Sequence, residues 1–160
     1  MKIEDIPKEY FKIYNIDWLV RAETVDADVT VCEMPWEGVS VIWHSGIWLD
    51  GIWGGGTWQT GTWKRGLWED GVWRSGVWES GDWQTGVWKT GIWSGGTHKN
   101  GTWIDGVWKD GVWRSGVFTS GIWLNGTWES GTWLGGTWLD GEWKSGVWKS
   151  GDCRLTDERR

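Results

Sequence analysis

From Gly46 to Gly151 apolar and polar positions follow a five-residue beat, Gly-x-Trp-x-x. Every fifth residue from Trp43 to Trp148 is Trp, except His98 and Phe118, and Cys153 falls on the next beat. The position before Trp is mostly Val, Ile or Thr, as at Val72, Val77, Ile92, Thr102 and Val112. Such residues favour extended backbone, and on an extended segment Gly and Trp, two apart, share one face while the middle residue points the other way. After Trp come a long, often charged residue and a small polar one, as in Glu69-Asp70, Arg74-Ser75 and Lys149-Ser150. That pair followed by Gly is the chemistry of a tight turn. Each word therefore reads as three extended residues and a corner.

A short period this strict means one unit stacked many times. Two ways of joining the corners compete. In an antiparallel meander each corner is a hairpin, but two-residue hairpin loops want Asn-Gly or a leading Gly, which these words lack. A three-residue loop fits better, yet it leaves two residues per strand and throws successive Trp onto opposite faces. In a solenoid the chain always turns the same way, so every Trp and Gly faces one interior axis and every middle residue faces out. The pattern thus predicts an all-β solenoid of five-residue repeats with a Trp core, with the meander as the alternative.

Residues 1–45 carry no repeat and read as an N-terminal cap of mixed helix and strand, residues 46–151 as the array, and 152–160 as a charged tail, frayed from Leu155 on. Ile6 to Tyr14 opens as a short helix with Pro7 at its first position. Asp28-Val29-Thr30-Val31-Cys32 alternates as a strand ended by Pro35, and Val39 to Trp43 is a second strand leading into the array. An uncovered solenoid end is a template for association, so capping is the expected job of this segment.

In Gly71 with Trp73 and Gly76 with Trp78, the array resembles the pentapeptide-repeat family, in which a small and a large apolar residue two apart both face inward. The resemblance covers residues 46–151 and implies a right-handed, four-sided β-helix, hence a coil of twenty residues. This chain uses Trp where the family has Leu or Phe and Gly where it has Ala, a swap that conserves volume. The string Gly-x-Trp-x-x-Gly also occurs in MORN repeats, whose antiparallel β-meander is the alternative architecture. Tandem Gly-x-Trp words are similar, too, to those of uncharacterised proteins of tailed phages and bacteria, a likeness that implies no activity. A longer echo links Gly-Ile-Trp-Gly-Gly at 51–55 with Gly-Ile-Trp-Ser-Gly at 91–95 and Gly-Thr-Trp-Leu-Gly at 131–135. Duplication of an eight-word block explains that spacing without any geometry.

Composition narrows the function classes. The chain has 22 Trp and 27 Gly among 160 residues but only 2 Pro, which excludes collagen and an aromatic-poor disordered tract. Residues 1–45 hold nine acids and four bases, most of the net charge of −6, whereas 46–151 holds ten acids and nine bases. A near-neutral array neither attracts nor imitates a phosphate backbone, so nucleic acid is not an expected partner. No run is long and apolar enough to span a membrane, and Met1-Lys2-Ile3-Glu4-Asp5 lacks the layout of a secretory signal, so a cytoplasmic or virion setting is expected. Cys32 and Cys153 are too few and too distant in sequence for a disulfide framework or a zinc site and read as free thiols.

The chemistry-bearing residues read as structural. Burying about 150–250 Å² per Trp at about 25 cal/mol/Å² is worth roughly 4–6 kcal/mol each as an upper figure. Exposing some twenty of them would make an apolar patch far beyond that of soluble monomers. Each buried indole N–H then needs an acceptor, from turn carbonyls or the small corner residues. His98, on a Trp beat, reads as a packed, hydrogen-bonded core residue, since no second ligand stands at metal spacing. Phe118 is an aromatic replacement, and His44 stands at the array's entry without a partner in the sequence. Asp82 and Glu142 read as solvated surface, because paired-carboxylate chemistry also needs a cleft. No catalytic, cofactor-binding or metal residue is assigned, and no enzyme is expected. The expected function is a structural or adaptor part of a larger assembly, a phage particle among them, docking a protein partner. The alternative is a carbohydrate- or protein-binding module that uses exposed aromatics.

Overall fold

The computed structural model describes residues 1–35 and 38–154; the expectation of a frayed tail at 155–160 lies outside the described residues. Two long strands, β1 (Glu23–Met34) and β2 (Gly38–Asp50), precede strands only two residues long, from β3 (Ile52–Trp53) to β23 (Asp152–Cys153). Each short strand holds the residue before the beat and the beat residue. Each pairs in parallel with a strand three words away: Trp58 with Trp73, Trp63 with Trp78, Trp68 with Trp83. The array is a β-solenoid, and the parallel register excludes the meander.

The same register sets the coil at fifteen residues, so the solenoid has three sides, not the four implied by the pentapeptide-repeat resemblance. Indole size accounts for the difference. Consecutive Trp meet edge to face, Trp58–Trp63 at 5.9 Å and 73° and Trp63–Trp68 at 6.0 Å and 72°. Trp68 closes the ring on Trp73 of the next coil at 5.9 Å and 70°. Three indoles fill the axis at contact distance. A fourth side would widen the ring and leave its centre empty, which interiors avoid.

Along the axis each indole lies flat on the one fifteen residues later, as in Trp63–Trp78 at 4.8 Å and 4° and Trp73–Trp88 at 4.8 Å and 5°. That step is the ordinary spacing of paired strands, so backbone pairing and ring stacking share one period. Two backbone bonds per word hold neighbouring coils: the Val72 N–H donates to the Gly56 carbonyl at 2.9 Å, and the Arg74 N–H to the Trp58 carbonyl at 2.8 Å.

The repeated Gly has a second job beyond adjoining Trp. A Cβ at Gly111 would come within 3.3 Å of the Trp93 indole nitrogen, but its closest clash is with backbone. At Gly111 φ is +120°, and a Cβ built there would lie 2.4 Å from the Gly96 carbonyl oxygen, one coil earlier. The bare side of the glycine faces along the axis onto backbone, and the angle itself is one that L side chains rarely adopt. The small polar residue before Gly completes the corner. The carboxylates of Asp70 and Asp110 accept the N–H of the following Gly at 2.8 Å, and the Ser145 hydroxyl donates to the Glu129 carbonyl at 2.6 Å.

The cap is built from dissimilar parts. After a 3-10 turn at Ile3–Asp5 come α1 (Lys8–Ile13) and α2 (Asp17–Arg21). Pro7 stands just before α1 rather than at its first position, a one-residue difference at a helix end. Strand β1 is longer than the alternation at 28–32 predicted, and it ends at Met34, before Pro35. It runs antiparallel to β2, with its register broken between Val25 and Asp28. That bulge lies where β2 turns the corner at Gly46, whose Cβ would lie 2.6 Å from the Asp26 carbonyl oxygen. β1 thus follows the first coil along two sides.

Helix α2 covers the third side. Leu19 is fully buried, and Trp18 meets Trp53 edge to face at 5.0 Å. A Cβ at Gly54 would lie 2.5 Å from the Trp18 indole nitrogen, so the glycine run Gly54-Gly55-Gly56 begins where the cap's aromatic sits. The Tyr10 hydroxyl donates to the Glu33 carboxylate, tying α1 to β1, and this bond to a carboxylate is the main reason its pKa is pushed up to about 12. The N-terminal ammonium bonds Asp28 at 2.7 Å and holds that carboxyl below its usual range. No helix among the described residues is long and apolar enough to cross a membrane.

Candidate docking surface

With the indoles turned in, what a partner can meet is the row of residues before each Trp and the row after it. Side one starts in β2 at Ile42 and continues through Thr57, Val72, Val87, Thr102, Val117 and Thr132 to Val147, each in register with the next. Side two runs from Ile47 through Thr62, Val77, Ile92, Val107 and Ile122 to Thr137. Neither row holds a charge until Asp152 closes side two. Side three differs: Asp82 interrupts its row, and Glu142 closes it.

The rows after Trp separate the sides further. On side one they carry Arg74, Lys89 and Lys149 and no acid, with Ile104 and Leu134 exposed at 40% and 39%. Sides two and three mix signs and pair charges between coils. Lys64 meets Glu79 at 3.2 Å, and Arg114 approaches Glu129 at 3.8 Å. These ion pairs are well exposed and contribute little stability. Side two is apolar toward its later coils, where Ile122 is exposed and Leu124 and Leu139 are half-buried.

The residues weighed as carriers of chemistry are scattered. Asp82 and Glu142 stand on one side but four strand spacings apart, roughly 19 Å; the carboxylates of a glycosidase stand about 5–9.5 Å apart. Cys32 and Cys153 are free and exposed, one in the cap and one in the last coil. No cluster of His, Cys, Asp and Glu fit to hold a metal ion occurs among the described residues. His44 does find partners: Thr30 Oγ1 at 2.7 Å and Gln59 Oε1 at 2.9 Å, so it bridges the cap strand, the first coil and the second. Nothing in the residue order points to this, because the three residues meet only through the coil.

His98 is fully buried and stacked, at 3.8 Å and 4° on Trp113 but 6.0 Å from Trp83. The imidazole is too short to fill the indole's place and sits against the later coil. The hydrogen-bonded surroundings expected for His98 are met only in part. The carbonyls of His98 and Ser115 face the ring, but neither nitrogen makes a bond of normal geometry. Burial pushes its pKa down to about 3, so the ring is neutral. The expected acceptors for the indoles are also mostly missed. Trp78 donates to the Gly95 carbonyl at 3.1 Å and Trp103 to the Ser120 carbonyl at 3.2 Å, whereas the N–H groups of Trp63, Trp93, Trp113 and most others make no bond. Comparison with known families, with curated proteins and with solved structures finds no match.

Proposed function

We propose that this chain is a non-catalytic structural or adaptor element, a rigid three-sided rod that docks partner proteins along its uncharged sides within a large assembly such as a phage particle. The observation that carries the reading is the contrast between sides. Two present continuous rows of Val, Ile and Thr on a parallel sheet, and the third is broken by Asp82. β-branched rows held at strand spacing cannot adapt by rotating, so they suit a flat partner surface better than a flexible ligand. The seven steps from Trp43 to Trp148 make the array about 34 Å long at strand spacing. Small-angle scattering should give a rod of that order with its cap added.

The carbohydrate-binding alternative has less support, since sugar platforms need exposed aromatic faces and the array's indoles are buried as far as Trp138. A photo-crosslinking residue placed in turn at Val87, Ile92 and Asp82, in the native host, tests the proposal. Positions 87 or 92 should capture a reproducible protein and position 82 should not. Equal capture from all three, or none from any, would sink it.

A further inference from the structure

The two ends of the solenoid are finished differently. At the first coil, β1 covers two sides and α2 the third, so Trp43, Trp48 and Trp53 are fully buried. At the last coil no described residue lies over β21 (Glu142–Trp143), β22 (Val147–Trp148) or β23. Trp143 is half-buried, Trp148 is 37% exposed, and Cys153 is exposed on the ladder where an indole would stand. That end offers stacked rings and free strand edges, the same surface that each internal coil buries against the next.

We infer that a second copy of this chain docks on this end, last coil to last coil, giving a two-fold dimer joined tail to tail. Three observations choose that occupant. The surface repeats the chain's own coil-to-coil interface, so its best complement is another such coil. Head-to-tail stacking is blocked, because the other end is already covered by the cap. Two tails related by a two-fold axis bring their strands together antiparallel, and β1 on β2 shows a terminal coil of this solenoid accepting an antiparallel neighbour.

Charge permits the contact, since the end carries Glu142 and Asp152 beside Lys144, Lys149 and Arg154 and so meets its mate with both signs. One coil supplies fifteen residues, fewer than the roughly 20–30 a side of a standard interface. The dimer should therefore come apart on dilution.

Sedimentation equilibrium of the purified full chain over a range of concentrations reads this out. The mass should rise toward twice the 18.4 kDa of one chain, and Trp148→Lys should remain monomeric at every concentration. The two native thiols give a second reading that does not depend on that variant folding. Pyrene on Cys153 in a Cys32→Ser background should show excimer emission that fades on dilution, and pyrene on Cys32 in a Cys153→Ser background should show none. A wild-type monomer at all concentrations would overturn the proposal, as would excimer from Cys32 alone. If removing residues 155–160 from a monomer shifts Trp emission to the red, the tail is the cover and the dimer is wrong.

Discussion

The cap and the array solve the same problem, burying apolar surface in a small chain, by opposite means. In the cap each contact is made once. Leu19 is fully buried, Trp18 has one matching glycine in Gly54, and Tyr10 has one matching carboxylate in Glu33. In the array one contact set is reused at every coil, so Trp63 on Trp78 and Trp108 on Trp123 are nearly superposable, at 4.8 Å and 4° against 4.7 Å and 5°. Reuse makes the array simple to encode but leaves it open at both ends, since each coil contacts only its neighbours. The cap is what makes a finite object of it. A heterogeneous segment is needed because the surface to be covered is a coil on one side and solvent on the other.

Removing residues 1–37 should break that comparison most severely. Bare β2 and the faces of Trp43, Trp48 and Trp53 would be exposed, and the truncated chain should associate or precipitate. Light scattering against the full chain checks this, and a stable monomeric truncation would contradict the cap's role. Next comes Gly111→Val, which puts a side chain against the Gly96 carbonyl at a backbone angle suited to glycine. A loss beyond about 4 kcal/mol is expected, measured by chemical denaturation. Trp113→Ala opens a cavity between Trp128 and His98 and should cost about 3–5 kcal/mol. A glycine variant milder than the tryptophan one would return Gly to the volume-matching role that its position beside Trp first implied.

His98 sharpens the comparison within the array, as an imperfect copy of the repeated contact. Its pKa is about 3 when folded and roughly 6.5 when unfolded. Above the unfolded value both states are neutral and His98 adds no pH dependence. As pH falls from about 6.5 toward about 3 the unfolded chain takes up a proton that the folded chain refuses. Stability should then drop by up to about 1.4 kcal/mol per pH unit. His98→Trp should flatten that slope and, by filling the gap against Trp83, add about 1–3 kcal/mol at neutral pH. Melting curves of both proteins between pH 7 and pH 4 compare them, and parallel curves would count against the buried neutral imidazole. The smallest effect belongs to Lys109→Ala on the outer face of side two, within about ±0.5 kcal/mol. A loss matching Trp113→Ala would reverse the inward and outward assignments.

Much of this was legible in the residues. The alternation around Val72-Trp73-Arg74 told which side chain faces in, the small polar residue before Gly marked each corner, and the charge and irregularity of the first residues marked a cap. The pairing partners of Trp18 and His44 were not legible, because Gly54 and Gln59 reach them only after the chain has wound once. The forty-residue echo carries no geometry, as duplication implies, since forty is not a whole number of fifteen-residue coils.

What the sequence by itself determined is the length of a side and the direction of every side chain on it, because both follow from backbone alternation and turn chemistry within five residues. What only the tertiary structure decided is how many sides close a coil, and with it the register, the task of the glycines and the fate of the indole N–H groups. Closure is non-local. It is set by how many indoles fit edge to face around one axis at about 6 Å, and by what the backbone of one coil leaves room for on the next.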